Sequence, residues 1–599
     1  MSLYYDSLDL ACKSIRGGIF ESEKLKITVK TSGIVQCRLV LRYDGEDTVE
    51  YDMTPLKDGF SIVLSGLKSG LIWYGFLADD AFYGDNGNCK AEQGSRDFFQ
   101  LLVCKNRRAV NYSDKIMYQI MPDRFSRAEG CGDATGKRIR PWGETPEYLP
   151  NKYGKITNDD FFGGNFKGII DKLPYLKSIG VSAIYLNPIF KAKSNHRYDT
   201  GDYFQIDGLL GNIDDYAQLV TQCRKQDICI ILDGVFNHTG DDSLYFNKYG
   251  NYESVGAYQS ENSKYYSWYC FKDFPDDYLS WWGIDTLPTI NKNNKEFEDF
   301  IAGKDGVIEK YASLGAVGFR LDVVDEIPDE FVRKIYDKIH DINNDGIVIG
   351  EVWEDATNKI AYDVRRTYFT EPELDGVMNY PLKSAIINYV ITGESGKLLN
   401  EIRRQLDHYP EFALNNLMNI LGTHDTPRIL TVLGKGGRLA TRRTDMANEV
   451  LTEEEIAIGK KRLKCATLLQ FFLYGFPSVY YGDETGMQGN KDPFNRKCFD
   501  LGRANDEILK WYKFIAALRN GHKCLSQSKI DNVYAKNGLI AFTKTGDKEV
   551  ALIVVNAGDE PAEIKLKNAT YEFMRDIKTD KITVNTYEYA MFYKSRNDR

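Results

Sequence analysis

Apolar residues follow two different periods along the chain. In residues 1–112, short runs such as 24–30 and 37–43 alternate between apolar and polar side chains or are continuously apolar, with Gly and Asp between them. Alternation with a period of two is typical of strands, and short strands at this spacing predict an antiparallel, Ig-like β-sandwich. Whether this domain binds carbohydrate or serves only for packing stays open at this point.

Residues 113–510 alternate between strand patterns and helix patterns. Eight strand candidates occur there, at 117–125, 181–190, 228–238, 316–324, 347–353, 375–380, 418–425 and 478–484. Eight strands that alternate with helices predict an α/β fold, a parallel (β/α)8 TIM barrel. A doubly wound open sheet is the alternative, although the sequence contains no GxGxxG turn that would favour it.

One connection in the predicted barrel is much longer than the others. Residues 239–300 follow the third strand and are rich in Tyr and Trp. Because a loop of this length usually carries structure of its own, we expect an inserted subdomain after strand 3. After the barrel, strand-like runs return at 539–544, 549–557 and 586–594, which predict a C-terminal β-sandwich over residues 511–599.

Composition and charge exclude several classes of protein. The 599 residues are 43% hydrophobic and 27% charged, which is typical of a globular fold, and the net charge is −9. An acidic chain argues against a duplex nucleic-acid partner, and no apolar run is long enough to predict a membrane span. The eleven cysteines are odd in number without a CxxC pair, and the N-terminus lacks a signal-peptide pattern. We therefore expect reduced thiols, no zinc site and a cytoplasmic location.

Charged residues stand at the ends of the predicted strands, where the active sites of such barrels lie. Arg320 and Asp322 end the fourth strand, Glu351 ends the fifth, and His424 and Asp425 end the seventh. Three carboxylates at one mouth suit glycoside hydrolysis, in which one carboxylate attacks the sugar and a second acts as acid and then base. A single strand-end Asp is more often a cap or an ion-pair partner, but the whole set favours an active site.

Four segments resemble the signature segments of the α-amylase family, glycoside hydrolase family thirteen, and they occur in its order. They are DGVFNH (233–238), GFRLDVVDE (318–326), GEVWE (350–354) and GTHDTPR (422–428). Three more segments are similar to the neopullulanase, cyclomaltodextrinase and amylopullulanase branch, namely FFGGNFKGI (161–169), SNHRYDTGDY (194–203) and LPTIN (287–291). The resemblance covers about residues 115–505, and that branch typically carries an N-terminal sandwich before the barrel.

The resemblance implies a role for each matched residue. Asp322 would be the nucleophile, Glu351 the acid/base and Asp425 the residue that stabilises the transition state, while Arg320 would orient Asp322 and keep it ionised. The implied sugar-binding residues are His196, Tyr198, His238, Glu326, Trp353, His424, Asp492 and Arg496.

These implied sugar contacts fall on different sides of the cleavage point. Tyr198 would stack on the sugar that is cleaved, and Asp492 with Arg496 would hold the next sugar on the non-reducing side. Trp353 and Glu326 would contact the leaving-group sugar. From the residues alone, core packing explains Tyr198 equally well.

The substrates that the resemblance implies are maltooligosaccharides, cyclodextrins or pullulan, cleaved with retention at α-1,4 bonds, with α-1,6 cleavage left open. Two alternatives remain: a transglycosylase on the same substrates, and a catalytically silent carbohydrate-binding or transporter-associated relative. The three retained carboxylates argue against the silent relative. In this branch the N-terminal domain often packs against the active site of a partner chain, which implies a homodimer.

The loop after the first strand departs from the pattern of the branch. A calcium site rich in Asn and Asp is common there, whereas residues 125–133 read FSRAEGCGD, with Arg127 where a neutral or acidic ligand is expected. Asn165 stands where FFGG is usually followed by Asp. Because a guanidinium repels Ca²⁺, we expect no metal at this loop and no required cofactor.

Overall fold

The computed structural model describes residues 2–526, 529–565, 572–573, 577–578 and 581–595. Its centre is a parallel sheet of eight strands, whose bounds are β1 Met117–Ile120, β2 Ala183–Leu186, β3 Cys229–Gly234, β4 Gly318–Leu321, β5 Ile347–Gly350, β6 Gly376–Val377, β7 Met418–Ile420 and β8 Phe476–Tyr480. From β1 to β6 each strand pairs with the next along the chain, β7 pairs with β8 and β8 with β1, and a bridge between Met378 and Met418 joins β6 to β7 and closes the ring. The predicted TIM barrel is confirmed.

Helices connect most of the barrel strands. Those that precede β5 are Pro122–Phe125, Phe166–Ser178, Ile213–Lys225, Lys295–Ala302, Val307–Leu314 and Asp329–Ile342. Those that follow β6 are Tyr380–Thr392, Ser395–His408, Glu411–Asn415, Ile429–Gly434, Arg443–Ala447, Glu453–Phe472, Asp506–Gly521 and Lys523–Ser526. Residues 351–375, which the structure describes in full, contain no helix, so the connection from β5 to β6 breaks the alternation.

The Asp329–Ile342 helix shows why these segments are helical. Phe331, Ile335 and Ile339 recur every four residues and are buried, which is the apolar stripe of a helix that packs on a core. Asn212 begins the Ile213–Lys225 helix with a capping box, since its side chain accepts from the backbone of Asp215 and the Asp215 carboxylate accepts from the backbone of Asn212.

Eleven strands form two sheets before the barrel. The four-stranded sheet contains Ser2–Tyr4, Leu25–Ser32, Thr54–Leu56 and Gly59–Leu64. The seven-stranded sheet contains Ile19–Phe20, Cys37–Tyr43, Val49–Asp52, Gly70–Ala78, Ala81–Asp85, Ala91–Gln93 and Phe99–Cys104. Their facing side chains, among them Ile27, Leu39 and Phe99, form one core, as expected for the predicted sandwich.

Two ion pairs connect this N-terminal sandwich to the Ser395–His408 helix of the barrel. Lys13 and Asp407 are both buried, and their Nζ and Oδ1 atoms lie 3.1 Å apart. Arg403 lies 2.7 Å from Asp6 in a partly exposed pair. A buried charge is tolerated only when it is paired, so the sandwich and the barrel are held in a defined contact.

The insertion after β3 is a small subdomain with an aromatic core. It contains the strands Phe271–Asp273 and Asp277–Tyr278 and the 3₁₀ turns Tyr266–Trp268 and Trp281–Gly283. Tyr245, Phe246 and Trp268 are buried in it, and His238 bridges to Thr289 where the segment returns to the barrel. Much of the aromatic content of this insertion therefore serves packing.

The remaining short elements lie in the loops of the barrel. They are the strands Arg138–Ile139, Asp160–Phe161, Phe190–Ala192, Thr200–Ile206, Ile360–Ala361 and Val364–Arg365, and the 3₁₀ turns Val324–Glu326, Asp483–Thr485 and Leu501–Arg503. The barrel strands are shorter than the apolar runs that predicted them. Of residues 181–190, only Ala183–Leu186 belong to the barrel, because the following residues leave the sheet to line its mouth.

The C-terminal part consists mainly of strands. Its described strands are Ile530–Lys536, Leu539–Thr545, Glu549–Asn556, Ala562–Lys565, Glu572–Phe573, Ile577–Lys578, Lys581–Val584 and Glu588–Ser595. The Asp506–Gly521 helix crosses the predicted boundary at residue 511, so these strands begin only at Ile530. Within the described ranges, no helix has both the length and the apolar character that a membrane span requires.

Candidate active site

One buried guanidinium joins the carboxyl ends of β3, β4 and β5. Arg320 in β4 donates from Nη1 to Oδ1 of Asp322 at 2.8 Å and to Oδ1 of Asp233 at 2.9 Å. Its Nη2 atom lies 2.8 Å from Oε2 of Glu351, at an angle that does not make a hydrogen bond. A single positive charge therefore holds three carboxylates from three neighbouring strands.

Burial dominates the electrostatics of this cluster. It raises the pKa of Asp322 well above the usual value, with further contributions from Glu351 and Asp233, while Arg320 acts in the opposite direction. Burial likewise raises the pKa of Asp233. The sequence predicts that Arg320 keeps Asp322 ionised; the structure adds a desolvation cost that opposes this effect in the free protein.

A second charged group lies at the ends of β7 and β8. Arg496 reaches Asp425 at 3.4 Å and Asp492 at 3.1 Å, and its Nε donates to the backbone carbonyl of His424 at 2.9 Å. Nε2 of His424 lies 3.2 Å from Oδ2 of Asp425. Burial raises the pKa of Asp425, while Arg496 lowers it. Arg496 thus contacts three other predicted site residues, Asp425, Asp492 and His424.

Tyr198 links the two charged groups. Its hydroxyl donates to Oδ2 of Asp233 at 2.7 Å and lies 2.5 Å from Nε2 of His424, and its ring is stacked on that of His424 at an angle of 5°. Gln119 donates to Nδ1 of His424 at 2.9 Å, so the neutral imidazole carries its proton on Nε2. Burial lowers the pKa of His424 well below its usual value, which keeps the ring neutral.

The other two predicted histidines flank Tyr198 and the aromatic insertion. Nδ1 of His196 lies 3.1 Å from the Ser194 hydroxyl, and burial lowers the pKa of His196. His238 stacks on Trp281, and burial lowers its pKa to about 3. Among the described residues, Nε2 of His238 has no hydrogen-bond partner although it is buried. Buried polar atoms are normally paired, so this atom is available to a ligand.

Aromatic side chains surround Glu351 and Glu326. Glu351 accepts from the backbone N–H of Val323 at 2.9 Å and from Nε1 of Trp353 at 3.2 Å. Oε1 of Glu326 accepts from Nε1 of both Trp281 and Trp282, at 3.0 and 2.9 Å. The 3₁₀ turn that carries Glu326 begins directly after Val323. Both predicted leaving-group contacts therefore lie on the Glu351 side of the site.

Several contributors were missed by sequence reasoning. No catalytic role was predicted for Asp233, yet it shares the Arg320 guanidinium with Asp322. Gln119 and Asn187 hydrogen-bond to each other at 3.1 Å, and Asn187 donates to the hydroxyl of Tyr198 at 2.8 Å. A polar residue near the end of each of two apolar runs was the available signal, since Gln119 lies in β1 and Asn187 directly follows β2.

The raised pKa of Asp322 predicts that Asp322→Asn stabilises the fold. The folded-state pKa lies above the ordinary value of 3.8, so the penalty for the charged carboxylate is absent below pH 3.8 and grows as pH rises through the folded pKa. We expect a gain on the order of 1 kcal/mol in the free energy of unfolding at pH 7, and none near pH 3.5. Urea unfolding from pH 3.5 to 8 measures it.

Asp355 serves as the control for Asp322, because the pKa of its buried carboxyl is shifted in the opposite direction. Burial alone would raise its pKa, but His408 at 2.7 Å and Arg404 at 2.5 Å hold the pKa below its usual range. Its stabilising contribution is therefore present above pH 3.8 and lost as pH falls through the folded pKa. Asp355→Asn should cost about 3 kcal/mol at pH 7. Equal losses in the two variants would contradict the assignment of Asp322.

Several known proteins are similar to this chain in sequence and in structure. The family profile described as "Alpha amylase, catalytic domain" matches residues 119–538. An amylopullulanase of Thermoanaerobacter thermohydrosulfuricus is 35% identical over 591 residues, which cover 86% of this chain and 38% of that protein. A cyclomaltodextrinase of Geobacillus thermopakistaniensis is 32% identical over 76% of this chain and 70% of its own length.

The type III pullulan hydrolase from Thermococcus kodakarensis is similar in structure, with a TM-score of 0.70 and 25% identity over 99% of this chain and 100% of that one. The chain spans only 38% of the length of the amylopullulanase that it matches. Since the catalytic-domain profile matches well over half of the residues, with the strand-end carboxylates inside the matched range, the chain belongs to the α-amylase family.

Proposed function

We propose that the chain is a retaining α-glucan hydrolase that cleaves α-1,4 glucosidic bonds in maltooligosaccharides, cyclodextrins or pullulan. The observation that carries this proposal is the contact of Asp322 and Glu351 with one guanidinium at the mouth of the barrel, because retaining enzymes need two carboxyl groups close together. The substrate class is supported by the names of the relatives, an amylopullulanase, a cyclomaltodextrinase and a pullulan hydrolase.

In this proposal, Oδ of Asp322 attacks the anomeric carbon while Glu351 donates its proton to the glycosidic oxygen. The products of this step are a glycosyl ester and a free leaving-group sugar. Glu351 then removes a proton from water, which opens the ester with retention of the α configuration. The bonds from Val323 and Trp353 hold the Glu351 carboxyl in place through both steps.

The remaining polar groups are assigned to sugar binding. Asp425 and His424 contact the sugar that is cleaved, and the unpartnered Nε2 of His238 is suited to one of its hydroxyls. His196 and Tyr198 line the same subsite, with the Tyr198 ring available to stack. Asp492 with Arg496 serves the non-reducing side, and Trp353 with Glu326 serves the leaving-group side.

Hydrolysis is favoured over transglycosylation by the relatives' names, each of which describes a hydrolytic enzyme. A silent binding protein is disfavoured because crowding three buried carboxylates around one guanidinium is electrostatically unfavourable. Such clusters are typical of active sites, and a protein that only binds sugar has no use for one. Cleavage of α-1,6 bonds stays part of the same proposal and is decided by the products from pullulan.

Product separation after incubation with maltotriose, a cyclodextrin and pullulan tests the function. We expect hydrolysis of at least one of them, with newly formed α-anomers visible by NMR before mutarotation. Because pullulan consists of α-1,6-linked maltotriose units, panose as product reports α-1,4 cleavage and maltotriose reports α-1,6 cleavage. Initial β-anomers, or no products from any substrate, would contradict the proposal.

Two variants test the assigned roles in the same assay. Asp322→Asn should lose more than about a thousandfold in kcat, because it lacks the attacking carboxylate. Glu351→Gln should lose far less in the first step with a nitrophenyl leaving group than with maltotriose, since nitrophenolate departs without protonation. Equal losses for both leaving groups would show that Glu351 is not the acid.

We propose that the 125–133 loop binds no calcium, and its geometry supports this. The amide nitrogen of Asn165 donates to the carbonyls of Ala128 and Cys131 at 2.8 and 3.2 Å, so two oxygens that a cation would need already accept from an N–H. The Arg127 side chain of this loop lies beside Gly163, in the segment that precedes the Phe166–Ser178 helix. These groups do not fit a Ca²⁺ ion, which requires six to eight free oxygen ligands.

Exhaustive EDTA treatment should therefore change activity and melting temperature little. Added Ca²⁺ should likewise leave the melting temperature within about 1 °C, because a ligand stabilises only a state that binds it. Differential scanning calorimetry of EDTA-treated and calcium-supplemented protein checks this. A large loss in EDTA that calcium restores would overturn the proposal.

We propose a cytoplasmic location, which the cysteines support. All eleven lie in the described ranges, none is paired, and eight of them are buried. Buried thiols at this number are typical of proteins kept in a reducing compartment. Recovery of the protein in the secreted fraction of the source cells would contradict it.

We also propose that two copies pair through the N-terminal sandwich. Apolar side chains on three of its strands are exposed, namely Val49, Tyr51, Leu56 and Val63, and pairing would remove them from water. Sedimentation equilibrium should give twice the chain mass of 68.4 kDa. A monomer at all concentrations up to about 100 μM would refute pairing of useful affinity.

A further inference from the structure

A short hairpin between β5 and β6 presents Tyr362 at the edge of the site. Ile360–Ala361 pairs antiparallel with Val364–Arg365, and Tyr362 and Asp363 form the two-residue turn with φ values of 53° and 61°. A turn with two positive φ values normally contains Asn or Gly. Side chains that accept this conformation cost about 1–2 kcal/mol each, and such strain concentrates at functional sites.

The N-terminal sandwich holds both ends of this hairpin. Gln100, which is buried, donates to the hydroxyl of Thr357 at 2.7 Å and accepts from Nδ2 of Asn358 at 2.8 Å. At the other end, Nε of Arg365 donates to Oδ2 of Asp44 at 2.8 Å. Nε1 of Trp73 donates to the other oxygen of Asp44, also at 2.8 Å, and so orients this carboxylate. The position of the turn is therefore set by a domain outside the barrel.

The turn faces Glu326, whose carboxylate already accepts hydrogen bonds from the indoles of Trp281 and Trp282. Lys359 and Arg366 flank the hairpin and bind the residue that precedes Glu326: Nζ of Lys359 lies 3.1 Å from Oδ2 of Asp325, and Arg366 donates to the Asp325 carbonyl. Burial and the Glu326 carboxylate also raise the pKa of Tyr362, in agreement with this placement. Trp282 is 80% exposed and Tyr362 is 67% exposed. Trp282 also has a positive φ of 51°. Two exposed aromatic rings in strained backbone thus flank one hydrogen-bond acceptor.

This group lies on one defined side of the reacting bond. Glu326 follows Val323, whose N–H binds Glu351, and Glu351 is the residue assigned to protonate the leaving group. Arg496 contacts both Asp425 and Asp492, on the other side. Sites for small ligands typically combine aromatic side chains with a few well-placed polar groups, and this group of residues has both.

We propose that Tyr362 packs against the glucosyl residues on the leaving-group side and determines how well they bind. Asp44 and Gln100 act as positioning residues that hold the Tyr362 turn from the N-terminal sandwich. The inference rests on the proposed α-glucan hydrolase activity and adds to it a substrate contact supplied by the loop, together with a role for the N-terminal domain within its own chain.

Two substrates separate this contact from the chemistry. Maltopentaose places glucosyl residues on the leaving-group side, whereas the leaving group of α-maltosyl fluoride is a single fluoride ion. The measured quantity is the ratio of kcat/KM for maltopentaose to kcat/KM for the fluoride. In Tyr362→Ala this ratio should fall roughly threefold to tenfold, mainly through KM for maltopentaose, as expected for loss of one aromatic packing partner. Tyr362→Phe, which keeps the ring, should restore most of it.

The role of the N-terminal sandwich is tested with a matched pair of variants. Asp44→Ala removes the ion pair to the hairpin, and Arg403→Ala removes the ion pair from Asp6 to the Ser395–His408 helix, which joins the same two domains elsewhere. The ratio should fall in Asp44→Ala and stay within twofold of wild type in Arg403→Ala. Melting temperatures recorded for both variants show whether general loosening of the domain contact contributes.

The experiments test the Tyr362 contact, the positioning role of the N-terminal sandwich and the hydrolase activity separately. An unchanged ratio in Tyr362→Ala would overturn the contact, and an equal fall in Asp44→Ala and Arg403→Ala would overturn the positioning role. Both results require a wild-type protein that hydrolyses the fluoride. A wild-type protein that turns over neither compound would overturn the proposed function and, with it, the substrate assigned to Tyr362.

Discussion

The candidate site depends on one buried positive charge. Arg320 is fully buried, and taking an unpaired guanidinium out of water would cost several kcal/mol. Burial alone would lower the pKa of Arg320, but Asp233 and Glu351 raise it, and Asp322 pairs with the guanidinium at 2.8 Å, so these contacts offset the cost. Removing the guanidinium would leave three carboxylates facing one another, so the relative positions of three strand ends follow from this single group.

The register of the barrel makes this contact possible. Asp233 and Arg320 are directly paired across β3 and β4, and Arg320 is paired with Ile349 of β5. Because the side chains of a strand alternate between its faces, this register turns Asp233 and Arg320 to the same side. Tyr185 of β2 lies on that side as well and donates to Asp233 at 2.5 Å. Short strands are sufficient to build this cluster, since only residues near the carboxyl ends of the strands belong to it.

The sequence could predict those parts of the site that depend on a pattern of neighbouring residues. A charged residue at the end of an apolar run identified Asp322, Glu351 and Asp425, and the barrel followed from the alternation of strand and helix. The contact of Asp44 with Arg365 joins residues 321 positions apart, and no local pattern records such a distance. The same holds for the two indoles on Glu326 and for the carbonyls that accept from Asn165, because each depends on how loops meet after folding.

The charge balance of the site bears on the proton that acid catalysis requires. Asp233, Asp322, Glu351, Asp425 and Asp492 are served by two guanidinium groups, those of Arg320 and Arg496, while burial keeps His424 neutral. Burial raises the pKa of three of these carboxyls. Glu351 and Asp233 act on the pKa of Asp322 in the same direction as burial, because each further negative charge disfavours ionisation of its neighbours. The excess of carboxylates over guanidinium groups therefore makes the mouth of the barrel an environment that disfavours carboxylate ionisation, which is the condition that acid catalysis by a carboxyl places on its surroundings.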